Sequence, residues 1–76
     1  MLLAIDAGNT NVVFAVCDDA NVRAEWRTVT KTQRTADEYA VTLKQLFETE
    51  GLSFADIDAA IIASVVPAVL FDLRQL

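Results

Sequence analysis

The sequence has no histidine, one cysteine, one proline and only two glycines. With Cys17 alone, no internal disulfide is possible, and without histidine a zinc cluster is not plausible. A lone cysteine fits a reducing, cytoplasmic setting, and its place inside an apolar run makes Cys17 a small core residue. With Gly8 and Gly51 as the only glycines, no Gly-x-Gly-x-x-Gly fingerprint can be written, and no Gly-Lys-Ser/Thr sequence marks a P-loop. The six basic residues, Arg23, Arg27, Lys31, Arg34, Lys44 and Arg74, are scattered and form no stripe, which argues against a nucleic-acid partner. No apolar run approaches the ~20 residues that cross a bilayer, so no membrane role is expected. The opening Met1-Leu2-Leu3-Ala4-Ile5 lacks a basic segment and is stopped by Asp6, unlike a secretory leader. These absences together place the expected compartment in the cytoplasm.

What is present is apolar and acidic. Hydrophobic residues make up 54% of the 76, enough for a packed core, and eleven acids against six bases leave a net charge of −5. The length allows one domain at most. A globule of this size buries only ~60% of its unfolded surface, so it would be marginal by itself.

Along the chain, Leu2 to Ile5 is a continuous apolar run suited to a central strand buried on both faces. Asp6 to Asn11 is a dense turn signal. Val12 to Cys17 is a second apolar, β-branched strand, and Asp18 to Asn21 turns the chain again. Val22, Ala24, Trp26 and Thr28 then alternate with Arg23, Glu25 and Arg27, the period of a third strand with one wet face, nearer an edge. Turns this short imply an antiparallel meander.

Thr35 stands three before Glu38, the spacing of a capping box, and Tyr39, Leu43, Leu46 and Phe47 form one helical stripe. Gly51 can take the positive φ that ends such a helix. Phe54 to Asp58 reads as a connector, and Ala59 to Val66 as a fourth strand. Pro67 suits the first turn of another helix, still in progress at Leu76, which suggests truncation. The expected order is β-β-β-α-β-α in a mixed α/β sheet, residues 1–76 forming one incomplete domain. A helical crossover favours a fourth strand parallel to one of the first three.

Chemistry concentrates in Asp6-Ala7-Gly8-Asn9-Thr10-Asn11. A carboxylate at the end of a buried strand can hold hydrated Mg²⁺, an ion that prefers oxygen ligands and keeps several waters. Gly8 lacks a Cβ, so an anion can approach the backbone. The N–H groups of Gly8, Asn9, Thr10 and Asn11 can line one concavity for phosphate, helped by the Asn9 amide and the Thr10 hydroxyl. The bland alternative is ordinary turn chemistry, since Gly-Asn with flanking Asp and Thr is common in turns. Of the remaining acids, Asp18 and Asp19 read as turn residues, Asp37 and Glu38 as capping groups, and Asp56 and Asp58 as solvent-facing connectors. Trp26 reads as a core or interface residue. Ser64, at the C-terminal end of a parallel strand, lies where open α/β sheets bind ligands, although Ser-Val-Val-Pro is also a plain strand end and helix start.

Asp6-x-Gly8-Asn9-Thr10 resembles the first phosphate motif of the acetate and sugar kinase, Hsp70 and actin superfamily. Gly-Asn-Thr rather than Gly-Gly-Thr is similar to the form in type III pantothenate kinase. Arg34 to Tyr39 resembles the opening of that family's first helix, and Ser64 to Pro67 its strand-to-helix junction. The resemblance implies the N-terminal part of an actin-like ATPase domain with a ribonuclease H-like fold, its fourth strand parallel to the first. It implies ATP held along Asp6, Ala7, Gly8, Asn9, Thr10, Asn11, Val12 and Val13, with Asp6 positioning Mg²⁺ through water. It also implies pantothenate as acceptor, a monovalent cation (K⁺ or NH₄⁺) and a homodimer. The family's general-base Asp and second phosphate motif would follow Leu76. A sugar kinase of the superfamily and an accessory transcriptional regulator related to the family are the alternatives.

Overall fold

A computed structural model describes residues 1–31, 34–64 and 74–76. Strand β1 (Leu2–Ala7) is followed by β2 (Asn11–Asp18), β3 (Asn21–Val29), helix α1 (Ala36–Thr49), one 3-10 turn (Phe54–Asp56) and β4 (Ala59–Ser64). The strands form one mixed sheet in the order β3-β2-β1-β4. The β1–β2 and β2–β3 pairs are antiparallel, and β1–β4 is parallel, with Ala7 opposite Ser64. The meander and the parallel fourth strand match the expected topology. Val65, Val66 and positions 67–73 of the helix expected from Pro67 lie outside the described residues, while Arg74 and Gln75 are helical.

The period of two in the strands sorts their side chains by face. Leu3, Ile5 and Ala7 of β1 and Val12, Phe14 and Val16 of β2 are buried. Tyr39, Leu43 and Phe47 of α1, at helical spacing, join them in one core cluster, while Leu46 at the side of the stripe is half-buried. Phe14 meets Tyr39 with ring centroids 6.2 Å apart, and Phe47 lies between Trp26 at 5.3 Å and Phe54 at 5.2 Å. Trp26 is therefore part of the packing under the helix, as expected. Full burial of one such side chain stabilises by ~1.5–3 kcal/mol. An exposed ion pair contributes far less, so this one face dominates the stability of the segment.

Only that face is covered. Leu2 and Ala4 are half-buried and Asp6 is exposed on the other, so β1 is central but not buried on both faces among the described residues. Cys17, opposite Leu2, is half-buried on this second face and is not a core residue. Its position follows from strand parity, which its apolar neighbours in sequence do not reveal.

A bulge alters β3. Val16 faces Ala24, but Cys17 faces Val22, leaving Arg23 as the extra residue. Past the bulge the faces exchange, so Val22 leaves the buried row that alternation assigned to it and is 60% exposed. Arg23 instead donates to the Glu50 carbonyl at 2.9 Å, a cation at the C-terminus of α1.

The helix ends are built from their own sequence. Thr35 and Glu38 form the expected capping box, each side chain accepting from the other's backbone N–H. At the far end Gly51 takes φ 69°. The N–H of Gly51 donates to Glu48 O and that of Leu52 to Phe47 O, a Schellman arrangement. Asp19, in the β2–β3 turn, takes φ 55°, a conformation Asp tolerates better than most residues. Asp56 caps the 3-10 turn with Ser53. Asp58 pairs with the Met1 amine at 2.7 Å, and their hydrogen bond raises the amine's pKa and lowers the carboxyl's. Both groups are solvated, so the pair contributes little. No helix among the described residues is long and apolar enough to cross a membrane.

Candidate phosphate-binding hairpin

Strands β1 and β4 run parallel and end side by side, and the turn from Gly8 to Asn11 stands at that end. Open α/β sheets bind ligands beyond the carboxyl ends of their strands. All eight residues singled out from the sequence, Asp6 to Val13, belong to this one hairpin. Asp6 pairs with Val13 and Ala7 with Val12. Ala7 and Val12 are buried on the helix side and anchor the hairpin in the core. Asp6 and Val13 point the other way, and Asn9 and Thr10 are exposed at the tip.

The tip differs from expectation in one respect. The Gly8 N–H donates to Asn11 O at 2.9 Å, so it closes the turn and does not line a concavity. A Cβ on Gly8 would lie 3.3 Å from the same Asn11 oxygen. The lack of a side chain at Gly8 is thus explained by the turn's own packing. The N–H groups of Asn9 and Thr10 have no backbone acceptor among the described residues, and they are the tip's available anion donors.

The Asp6 carboxylate has no hydrogen bond or ion pair among the described residues. No group of three or more acids, cysteines or histidines forms a metal site there. This arrangement fits Mg²⁺, which commonly takes one or two carboxylates and completes its shell with water and substrate phosphates. It does not fit an ion that needs an all-protein cage.

A neighbour missing from the sequence reading, Thr30, borders the hairpin, and so does Arg34, which the sequence places at the start of the first helix. Thr30 lies just beyond β3, yet its N–H donates to Thr10 O at 2.9 Å and its hydroxyl to Gly8 O at 2.9 Å. Nothing in the sequence marks this threonine, because the contact depends on the register of β2 against β3. Arg34 places its Nη1 3.3 Å from Thr28 Oγ1 and its guanidinium 5.3 Å from the Tyr39 ring centroid. Thr28, Val12, Ala7 and Ser64 occupy one row across the sheet, so Ser64 does reach the hairpin's end of the fold. Thr35 is occupied by its cap, and the first turn of α1 carries Asp37 and Glu38, which disfavour an anion at that helix end.

An apolar hollow lies elsewhere. A groove of about 270 Å³ between α1 and β4 is lined by Leu3, Ile5, Phe47, Phe54, Ile57, Ala60, Ile62 and Leu76. It has no polar side chain to orient a ligand, so it is the open flank of the core.

A family profile described as type III pantothenate kinase matches residues 2–76. Over all 76 residues the chain is 64% identical to a type III pantothenate kinase of Rhodospirillum rubrum and 62% identical to one of Paramagnetospirillum magneticum. It is 57% identical to one of Caulobacter vibrioides. It covers 30%, 29% and 29% of these three relatives, so the chain spans about three-tenths of their length.

Proposed function

This chain belongs to the type III pantothenate kinase family, and we propose that the full-length protein transfers the γ-phosphoryl group of ATP to the primary hydroxyl of pantothenate, in coenzyme A biosynthesis. The observation that carries this reading is the family match over residues 2–76, a span that includes the whole Asp6–Val13 hairpin.

In this reading the hairpin receives the ATP phosphates. The N–H groups of Asn9 and Thr10, with the Asn9 amide and Thr10 hydroxyl, donate to phosphate oxygens. Asp6 would hold Mg²⁺, and the ion would supply positive charge to offset that of the phosphates. Phosphoryl transfer depends mainly on such positioning and charge stabilisation. K⁺ or NH₄⁺ as a further requirement, a homodimer and a cytoplasmic location complete the proposal. The general base and the second phosphate clamp fall to residues after Leu76, so the 76 residues alone do not catalyse transfer.

The test is ATP turnover by the full-length protein, with and without pantothenate, in Mg²⁺ and K⁺, beside Asp6→Asn. Pantothenate-dependent turnover should fall ~10²–10³-fold in the variant, the scale of losing one electrostatic stabiliser, while the variant stays folded. An unfolded variant would make Asp6 structural. Turnover with a sugar in place of pantothenate would move the protein to a sugar kinase. ATP binding without any turnover would favour a regulator.

A further inference from the structure

Three hydrogen bonds of 2.9 Å hold the backbone of the hairpin. Gly8 N–H reaches Asn11 O, Thr30 N–H reaches Thr10 O, and the Thr30 hydroxyl reaches Gly8 O. Two of these three bonds come from a single residue, 22 positions from Gly8 in sequence. The hydroxyl contact is partly buried, where a bond is less exposed to competition from water.

The peptide unit gives these bonds a directional effect. It is planar and trans, so its C=O and the following N–H point in opposite directions. When the Thr30 hydroxyl holds Gly8 O, it fixes the plane that carries Asn9 N–H and aims that donor away from Thr30. When Thr30 N–H holds Thr10 O, it fixes the next plane but one in the same way. Asn9 and Thr10 are exposed and have no other backbone anchor among the described residues. A tip with free peptide planes would have to be ordered by each incoming phosphate. With the Gly8–Asn9 plane already anchored, Asn9 N–H is presented in one direction.

We propose that Thr30 is a positioning residue, orienting the Gly8–Asn9 peptide so that Asn9 N–H faces the ATP phosphates. This rests on the phosphate-site reading above. Thr30 touches no substrate in this account and acts through the hairpin backbone.

The test uses the full-length protein with Thr30→Val, which keeps the shape and the backbone N–H but removes the hydroxyl, and Thr30→Ser, which keeps the hydroxyl. The Val variant should lower kcat/KM for ATP about tenfold, a scale consistent with slight misplacement of positioned groups, with the KM for pantothenate nearly unchanged. The Ser variant should restore the ATP value to about that of the parent. A Val variant with parental ATP kinetics overturns the proposal. So does a Val variant that loses stability with equal effects on both substrates, or a Ser variant as impaired as Val. Should Val not fold, the Ser variant still decides, by its ATP kinetics alone. Asp6→Asn, assayed in parallel, separates the two claims. Its collapse beside a silent Thr30→Val removes only the role of Thr30, whereas full activity of Asp6→Asn removes the phosphate-site reading beneath it.

Discussion

Gly8 is required by its own turn. Its N–H closes the hairpin on Asn11 O, and any Cβ there would press on that oxygen at 3.3 Å. Gly8→Ala must therefore displace the tip by a few tenths of an ångström, since Asn11 O is backbone and cannot swing aside. In the full-length protein the expected result is a drop of about tenfold in kcat/KM for ATP, or ~1.4 kcal/mol of transition-state stabilisation. Steady-state kinetics with ATP varied would check it. Unchanged kinetics would show that the tip has slack and that Gly8 serves only the turn. The sequence singled out this glycine but assigned its freedom to the incoming anion. The reason was invisible there, because it depends on how closely Asn11 returns across the turn.

At the scale of the element, α1 carries its own instructions. The Thr35–Glu38 box starts it, Gly51 stops it, and its buried stripe points at β1 and β2. These signals are local in sequence, and all were legible. Thr35→Ala should cost about 1 kcal/mol by removing the acceptor for Glu38 N–H. Urea denaturation of the full-length protein would measure it, with ATP kinetics unchanged because Thr35 is spent on the cap. A raised KM for ATP without loss of stability would instead bring Thr35 to the ligand. Strand β3 makes the contrasting case. Its alternation predicted one buried face from Val22 to Thr28, and the extra residue Arg23 moved Val22 off it. A bulge belongs to a pair of strands and leaves no clear mark on either sequence alone.

At the scale of the molecule, β4 is an edge strand of the sheet among the described residues. Strand β4 pairs with β1 on one side only among the described residues, and Ile61, 59% exposed, lies on the uncovered face. An apolar edge of this kind is a template for pairing with another chain. The 76 residues produced alone should therefore self-associate as concentration rises, measurable by sedimentation velocity. They should also show no pantothenate-dependent ATP consumption. A monomer that unfolds cooperatively across that concentration range would contradict the first expectation.

The sequence by itself determined the order of strands and helix, the caps of α1 and the location of the phosphate-site candidate. Those features follow from short-range periodicity and from turn and cap chemistry, which act over a few residues. The tertiary structure alone decided which face of β1 is covered, where Cys17 and Val22 point, that Gly8 N–H is consumed by its own turn, and that Thr30 holds the hairpin. The Gly8 bond depends on how closely Asn11 returns across the turn; the others depend on which face the helix covers and on the register between strands, where a one-residue shift moves every side chain to the opposite face.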